Sequence, residues 1–222
     1  MPRKAGAAFR QPELVPNGLG TRANMDEELD ISYFNESLRK ATHLFALVIP
    51  IGYFLTNRTI SLSVLIPIML LLILLDTARL RGWSLWSLAK PIWGRMIRPN
   101  ESNRYTGASY IMFATVITVI MFPKLIAICA LSFIIVGDTA SALIGRKWGR
   151  HKFRNKSYEG SFAFLLSSLI PAAIIPEIPL WVGVAGAIIA TVTEALSGDI
   201  DDNLSVPLVS GLSMHLLLKA FI

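Results

Sequence analysis

The sequence has little cysteine and little charge for its length. Among its 222 residues, Cys129 is the only cysteine, and charged residues make up 16% of the chain against 53% for hydrophobic residues. One cysteine excludes a disulfide framework and a metal site built from cysteine thiolates. So little charge, together with a mean hydropathy of +0.55, excludes an ordinary soluble domain and predicts a protein whose solvent is the lipid bilayer.

Two kinds of sequence signal are also missing. The chain has no G-x-x-x-x-G-K-[ST] loop and no protein-kinase signature, so any nucleotide chemistry is expected to lie outside the P-loop and protein-kinase folds. Residues 1–30 mix proline, glycine and charged residues without the apolar core of a signal peptide. We therefore expect a flexible N-terminal tail over residues 1–30 and one transmembrane domain over residues 31–222.

Seven apolar runs dominate the rest of the chain, and each approaches the roughly 20 residues that cross a bilayer as a helix. They predict an all-α, polytopic membrane protein of about seven transmembrane helices. Because several runs are short, six spans with one re-entrant segment are an alternative. The runs cover residues 41–56, 60–75, 105–121, 125–143, 160–175, 180–197 and 205–222.

The formal net charge of +6 reflects an uneven distribution of cations. With seven spans, eighteen of the 21 Lys and Arg residues fall on the side of the N-terminus, and only Arg58, Lys124 and Lys219 fall on the other. Cations concentrate on the cytoplasmic side of membrane proteins. The N-terminus is therefore predicted to be cytoplasmic and the C-terminus to lie outside. The positive charge indicates this topology, and we expect no nucleic-acid partner.

An aspartate lies inside the fourth apolar run, in the stretch VGDTASALIGRKWG. Small residues recur there every four positions, at Gly137, Ser141, Gly145 and Gly149, and close helix packing alone explains them. Packing does not explain Asp138, because an ionisable group inside a membrane span costs about 2.5–3.5 kcal/mol. Asp138 is therefore a candidate for binding an ion or taking part in a reaction.

Six potential hydrogen-bond donors follow that aspartate on the cytoplasmic side. Such a loop is typical of binding to anionic lipid head groups, but it also offers the several N–H donors and positive charges that phosphate groups need. A smaller group of potential phosphate-binding residues lies at the start of the first run, where the pair Arg39 and Lys40 precedes His43 by one turn. Such pairs often serve only as membrane anchors. The six donors are Arg146, Lys147, Arg150, His151, Lys152 and Lys156.

Carboxylates form a second cluster in TEALSGDIDDNLSVPLVSG, residues 193–211. Aspartate and asparagine are common in solvated turns, which is one interpretation of this stretch. Its position on the same face as the basic loops favours another. Asp138 with Glu194, Asp201 and Asp202 can supply hard oxygen ligands for one or two Mg²⁺ ions, the metal that accompanies a nucleotide.

Together these stretches resemble the CTP-dependent lipid-alcohol kinases, the family of dolichol kinase, phytol kinase and the CTP-using diacylglycerol kinase. The resemblance covers about residues 39–211, in RKATHL, VGDTASALIGRKWGRHKFRNKSYEGS, TEALSGDIDDNLSVPLVSG and, more weakly, IRPNES. It implies CTP as the phosphoryl donor, which no other feature of the sequence indicates. The residues it implicates in activity are Arg39, Lys40, Asp138 and Gly145, and those that match the second half of the central motif are Lys156, Ser157, Glu159 and Gly160.

The sequence thus predicts that residues 31–222 form the catalytic domain of a kinase. Its substrate would be the hydroxyl of a membrane lipid, such as a polyprenol or dolichol, a phytol-like prenol or diacylglycerol, at the cytoplasmic face. Asp138, Glu159 and Glu194 are equally reasonable as the proton acceptor. The predicted nucleotide- and phosphate-binding residues are Arg39, Lys40, His43, Gly145, Arg146, Lys147, Lys156 and Ser157.

Two other functions share parts of this pattern. A CTP:lipid-phosphate cytidylyltransferase has a similar central motif and also uses CTP and Mg²⁺, but this chain lacks the longer C-terminal signature of those enzymes. A transporter or a lipid-binding membrane protein is the alternative from another class, although transporters carry polar groups near the midplane and often internal repeats. For the kinase we expect a multi-pass protein of the plasma membrane in a prokaryote or the endoplasmic reticulum in a eukaryote, and no oligomeric state is predicted.

Overall fold

The computed structural model describes residues 43–94, 97, 101–154, 156–198 and 200–221, and these are mostly helical. The predicted tail over residues 1–30, and Arg39 and Lys40, lie outside the described residues. The helices are α1 (Val48–Leu55), α2 (Arg58–Leu80), α3 (Leu85–Trp93), α4 (Gly107–Met121), α5 (Lys124–Trp148), α6 (Tyr158–Ile174), α7 (Leu180–Leu196) and α8 (Asp202–Phe221).

Short polar or glycine signals set the helix boundaries. The Asn57 side chain accepts a hydrogen bond from the Ile60 N–H and so caps the start of α2. The same helix ends just before Gly82, whose φ of 66° is the left-handed conformation that commonly stops a helix. Ser157 caps α6 in the same way as Asn57 caps α2, because its hydroxyl accepts from the Gly160 N–H at 3.1 Å. Side-chain oxygens thus satisfy backbone N–H groups at the starts of α2 and α6, and a left-handed glycine follows the end of α2.

Helix α5 forms the centre of the fold and packs against α1, α4, α6, α7 and α8. Every residue from Ile126 to Ile135 is buried, so this run contributes the core of the molecule. By contrast, α2 presents exposed apolar side chains along its length, among them Ile60, Val64 and Leu71. Exposed apolar surface of this extent is typical of a protein surrounded by lipid.

The prediction that the seven apolar runs are helical is confirmed for the described residues. Three of the helices, α2, α5 and α8, are long and apolar enough to cross a membrane by length and composition. The other four apolar helical segments are shorter, at His43–Leu55, Gly107–Met121, Tyr158–Ile174 and Leu180–Leu196. That all seven cross a bilayer, and that the N-terminus is cytoplasmic, stay predictions.

Two features lie outside the prediction of an all-α protein with about seven transmembrane helices. Strands β1 (Lys152–Phe153) and β2 (Lys156–Ser157) pair in antiparallel fashion between α5 and α6. The hairpin forms because Arg154 takes a left-handed φ of 50°, which reverses the chain within a few residues. The second feature is α3, a nine-residue amphipathic helix between α2 and α4.

The connection from α2 to α4 is fastened by Asp76, which is 6% exposed. Its Oδ2 accepts hydrogen bonds from the Thr106 N–H, the Thr106 hydroxyl and the Ser109 hydroxyl at 2.6–2.8 Å, and its Oδ1 accepts from Arg79 Nε at 3.0 Å. Arg79 in turn donates to the carbonyl oxygens of Glu101 and Ser102. Because these groups satisfy one another, Asp76 has a structural role, which is to hold the start of α4 against the end of α2.

The opposite end of the helices carries two of the cations that the sequence assigned to the outer face. Lys124 Nζ donates to the carbonyl oxygens of Phe54 and Thr56 at 2.8 and 2.7 Å. Arg58 donates to the carbonyl oxygen of Phe122 at 2.8 Å. Both cations therefore bind carbonyl groups at the ends of α1 and α4. Lys124 lies about 21 Å from Asp138 along α5, at 1.5 Å per residue.

Candidate active site

Asp138 and His43 meet at one end of the molecule. Asp138 lies just past the middle of α5 with 15% of its side chain exposed, and its Oδ2 is 3.6 Å from His43 Nε2. His43 precedes α1, so two sequence motifs separated by almost 100 residues come together here. Of the first motif, Arg39 and Lys40 lie outside the described residues. The contact brings a candidate phosphate-binding residue next to the carboxylate that the sequence singled out.

A second set of charges lies beside Asp138. Lys156 Nζ is 2.6 Å from Glu194 Oε1 and 2.9 Å from Asp202 Oδ2, so one ammonium group bridges two carboxylates. The Ser141 hydroxyl, one helical turn beyond Asp138, donates to the same Glu194 Oε1 at 3.3 Å. Asp138 and Asp202 both interact electrostatically with Glu194. Residues from α5, β2, α7 and α8 thus form one polar cluster.

The burial of this cluster makes its charges interdependent. Glu194 is fully buried, Lys156 and Asp202 are 23% and 19% exposed, and no group in the described part of the chain donates a hydrogen bond to Glu194 Oε2. Burial alone would lower the pKa of Lys156, but the Asp202 and Glu194 carboxylates outweigh burial and raise that pKa above its ordinary value. Lys156 is therefore charged throughout the physiological range, and removing one partner of such a buried pair typically costs about 3–5 kcal/mol.

The hairpin between α5 and α6 positions Lys156. Arg154, at the turn, donates from Nη1 to the Leu196 carbonyl oxygen at 3.2 Å and so attaches the hairpin to the end of α7. The next residue after Lys156 is Ser157, which caps α6. With the turn fixed on one side and the cap on the other, Lys156 is directed toward Glu194 and Asp202. The local sequence therefore determines where the ammonium group lies.

Glycines let α5 approach this hairpin closely. A Cβ added at Gly145 would lie 3.0 Å from Ser157 Oγ, and one added at Gly160 would lie 3.0 Å from the Ser141 carbonyl oxygen. At Gly149 an added Cβ would lie 2.7 Å from Ser157 Oγ. The four-residue spacing of small residues in α5 is thus explained by packing, and the absence of a side chain at Gly145 leaves room for the Ser157 hydroxyl.

Several other predicted site residues lie at the surface around the cluster. Glu159 accepts hydrogen bonds from the His151 backbone N–H at 3.2 Å and contacts its ring Nδ1 at 2.7 Å, and His151 is largely exposed. Arg146 and Lys147 are at least partly exposed, and Lys147 Nζ lies 4.6 Å from the Trp148 ring centroid. Arg146 and Lys147 therefore lie at the end of α5, and Glu159 lies at the start of α6, on either side of the hairpin that carries Lys156.

The two adjacent aspartates at the start of α8 differ in their contacts. Asp202 faces Lys156, as described above. Asp201 immediately precedes the helix, and its Oδ1 accepts from the backbone N–H of Asn203 at 3.0 Å and from the Asn203 side chain at 2.8 Å. This is the geometry of a helix N-cap. Asp201 therefore has a structural explanation that Asp202 does not share.

The chain is similar in sequence to several known proteins, two of which are named as lipid kinases. The chain is 30% identical over 183 residues to Uncharacterized protein RP860 of Rickettsia prowazekii, covering 78% of this chain and 90% of that protein. It is 26% identical over 157 residues to CTP-dependent diacylglycerol kinase 1 of Schizosaccharomyces pombe, covering 62% of this chain and 72% of that protein. It is 30% identical over 87 residues to phytol kinase of Synechocystis, covering 34% and 37%.

These relatives support the family of CTP-dependent lipid kinases for this chain. No protein-family profile matches it. No solved structure matches it either. The apolar helices and the lipid-kinase relatives together indicate a membrane protein and a phosphotransferase.

The metal site predicted from the sequence is not preformed among the described residues. Among the described residues, which do not include Asp199, no group of three or more His, Cys, Asp or Glu side chains is arranged to hold a metal ion. Of the predicted ligands Asp138, Glu194, Asp201 and Asp202, the last has its carboxylate against Lys156, and Asp201 caps α8. The residues as they stand do not fit a bound Mg²⁺, because an ammonium group already lies between two of the carboxylates.

Two residues of the candidate site are not singled out by the sequence. In the sequence Arg154 is one more loop cation, yet in the structure it joins the hairpin to α7. Ser141 is a small residue on the face of Asp138, yet it donates to Glu194. The signal for Ser141 was its three-residue spacing from Asp138, whereas Arg154 offered no local signal because its partner is a backbone carbonyl of another helix.

Proposed function

We propose that the protein transfers the γ-phosphoryl group of CTP to the hydroxyl group of a membrane lipid, at the cytoplasmic face of the membrane. The observation that carries this proposal is the cluster of Asp138, Lys156, Glu194 and Asp202 at one end of a bundle of apolar helices. A lipid alcohol can leave its tail between lipid-facing helices while its hydroxyl reaches that end. The names of the relatives support CTP as donor and a lipid alcohol as acceptor.

Cationic residues around the cluster would bind the triphosphate. Phosphoryl transfer asks mainly for positioning of the phosphates and stabilisation of their negative charge. Lys156 lies within the cluster, and Arg146 and Lys147 lie at the end of the same α5 that carries Asp138. His43, next to Asp138, would add a further phosphate-binding group.

Glu194 is the best-supported acceptor of the substrate proton. Its carboxylate is fully buried, and its Oε2 receives no hydrogen bond from the described residues. Glu159, by contrast, is engaged by His151 near the surface, and Asp138 contacts His43. In the proposed step the lipid oxygen forms a bond to the γ-phosphorus, the bond from that phosphorus to the β–γ bridging oxygen breaks, CDP leaves, and the hydroxyl proton passes to Glu194.

The position of the cluster favours an enzyme over a transporter. Transporters place their polar groups near the bilayer midplane, at breaks within helices. Here Glu194 is two residues from the end of α7, Asp202 is the first residue of α8, and Lys156 belongs to the hairpin that joins two helices. Polar groups at helix ends are suited to chemistry between a nucleotide in water and a hydroxyl at the membrane surface.

The test is transfer of label by the purified protein in mixed lipid–detergent micelles. Diacylglycerol, phytol and a polyprenol are each incubated with CTP labelled at the γ- or the α-phosphate, with Asp138→Asn as the inactive control. We expect γ-label, and no α-label, in an organic-soluble lipid phosphate, and we expect the best acceptor to identify the substrate class. Transfer of α-label instead would replace the kinase with a cytidylyltransferase, and transfer of neither label by folded protein would reject both.

A further inference from the structure

The connection between α2 and α4 carries charge of one sign. From Thr77 to Asn100 the sequence has five cations and no aspartate or glutamate. The cations are Arg79, Arg81, Lys90, Arg95 and Arg98. Arg81 and Lys90 are exposed in the structure. Because anionic lipid head groups attract a basic segment that lies next to a membrane surface, the charge of this connection is complementary to such a surface.

Helix α3, within this connection, is amphipathic and too short to cross a membrane. Its nine residues span about 14 Å, less than half of the roughly 30 Å hydrocarbon core of a bilayer. Leu85 and Leu88 are three residues apart and so share a face, where they are 37% and 76% exposed. Ser87 and Lys90 share a different, polar face, and both are exposed. One apolar face and one polar, basic face are typical of a helix that lies in the plane of the membrane interface.

The exposed apolar residues of α3 follow directly on those of α2, against which α3 packs. Leu74 and Leu80 are exposed near the end of α2. Between the two helices, Trp83 is 44% exposed, and the guanidinium carbon of Arg81 lies 5.7 Å from the centroid of its ring. Tryptophan rings concentrate at the level of the lipid head groups. Lipid thus accounts for the exposed apolar residues and the cations together, whereas a second copy of this chain would bring the same positive charge to the contact.

We infer that α3 lies in the head-group layer of the membrane and binds anionic lipid. Leu85 and Leu88 then lie at the boundary of the acyl chains, and Arg81 and Lys90 contact the head groups. This interaction surface is separate from the polar cluster around Lys156. It requires neither a nucleotide nor a lipid alcohol.

The α3 surface belongs to the end of the molecule that carries the polar cluster. The Asp76 carboxylate accepts from Thr106 and so holds the end of α2 against the start of α4. At that start, a Cβ added to Gly107 would lie 3.0 Å from Nδ2 of Asn203, the residue after Asp202. Helix α3 therefore anchors to the membrane the same connection that places α4 beside the first turn of α8.

The experiment locates α3 by electron paramagnetic resonance of a nitroxide attached to Leu88→Cys or, as the matched control, to Ser87→Cys. Both positions are exposed, so a label should not disturb the fold, and the chain's own Cys129 is fully buried. The full chain is reconstituted at one copy per lipid nanodisc, in phosphatidylcholine with or without phosphatidylglycerol. Power saturation compares collisions of the nitroxide with oxygen, which concentrates in lipid, and with a water-soluble nickel chelate.

With phosphatidylglycerol present, we expect the label at Leu88→Cys to collide mainly with oxygen and the label at Ser87→Cys mainly with nickel. Removing phosphatidylglycerol should raise the nickel collisions at Leu88→Cys. Adding Lys90→Gln or Arg81→Gln should raise them too, because each cation near an anionic surface changes the ratio of bound to unbound α3 about fivefold. Lys219→Gln, which removes an exposed cation near the far end of α8, should leave the collisions unchanged.

Dominant nickel collisions at both labelled positions would place α3 in water and overturn the inference. Few collisions with either reagent at Leu88→Cys would mean that protein covers the apolar face, and this result would overturn it as well. Identical collisions with and without phosphatidylglycerol would contradict the binding of anionic lipid by Arg81 and Lys90. Because no phosphoryl transfer is measured, each result is independent of the proposed kinase activity.

Discussion

At the scale of single residues, the site shows that adjacent identical side chains can have different roles. Asp201 and Asp202 are neighbours in the chain, but the carboxylate of Asp201 accepts from the Asn203 amides while that of Asp202 contacts Lys156. The difference arises because α8 begins between them, so that one aspartate caps the helix and the other projects from its first turn. Their substitution should therefore separate helix capping from the chemistry of the cluster.

We expect Asp202→Asn to reduce kcat about 10- to 100-fold, because Lys156 loses one of the two carboxylates that position it. The matched change Asp201→Asn should reduce kcat much less, since asparagine is as good an N-cap as aspartate. The measurement is phosphoryl transfer to the best lipid acceptor, with the apparent Tm of both variants in detergent as a check on folding. Equal losses in the two variants would mean that the structure separates the two aspartates wrongly.

The sequence singles out most residues of the candidate cluster but not their partners. Asp138, Glu194 and Asp202 stand out because a carboxylate near the end of an apolar run is costly without a purpose, and Lys156 stands out as one of the donors of the basic loop. That Lys156 bridges Glu194 and Asp202 could not be predicted, since the contact joins residues 38 and 46 positions apart and depends on how α7 and α8 pack on α5. The cap role of Asp201 was missed because it depends on the helix boundary, which a run of acidic and polar residues does not define.

At the scale of elements, glycines define how closely the helices pack on α5. Gly137 lies beside the Phe164 ring, and a Cβ added there would lie 2.6 Å from two of its carbon atoms. Phe164 is fully buried and belongs to α6. The small residue next to Asp138 is thus required for packing of α5 against α6, and its substitution should affect stability before it affects chemistry.

Gly137→Ala is expected to destabilise the protein by about 1–3 kcal/mol, the usual effect of overpacking a core. The control is Gly52→Ala in α1, where an added Cβ has no atom within 4 Å, so the helix should be unchanged or stabilised by up to about 1 kcal/mol. The apparent Tm in detergent measures both. Partial recovery in the double variant Gly137→Ala with Phe164→Leu would attribute the loss to the ring, whereas an unchanged Tm for Gly137→Ala would contradict the packing argument.

The helices themselves were accessible from the sequence, whereas the hairpin was not. Apolar periodic runs predict helices wherever lipid or core surrounds them, and the seven runs are helical in the structure. Strands β1 and β2 are two residues each, so no alternation of polar and apolar residues was available to predict them. Their formation depends on the turn at Arg154 and on its bond to α7, a contact that only the folded chain contains.

At the scale of the whole molecule, the polar cluster and the capping cations lie at opposite ends of α5. Asp138 and Lys156 belong to the end that the charge distribution assigns to the cytoplasm, and Lys124 and Arg58 to the other. This separation is what a protein with its site on one membrane face requires. The orientation in the membrane is the part of the account that labelling in cells can test.

Single cysteines introduced on the two faces report that orientation. Lys147→Cys lies in the predicted cytoplasmic loop, Glu177→Cys lies in the predicted outer loop, and both positions are exposed. The chain's own Cys129 is fully buried, so it should stay unlabelled. In intact cells a membrane-impermeant maleimide should label Glu177→Cys and not Lys147→Cys, and lysis should expose Lys147→Cys as well. The reverse pattern would place the cluster on the outer side.

The central claim is that the buried Lys156–Glu194–Asp202 cluster is the active site of a lipid kinase. The most direct measurement is the rate of γ-label transfer from CTP to diacylglycerol by the wild type and by Glu194→Gln, which keeps the size of the side chain and removes its charge and basicity. The account predicts transfer by the wild type and a loss of at least about 100-fold in the variant, the size expected for a general base. A folded Glu194→Gln protein that transfers label at the wild-type rate would contradict it.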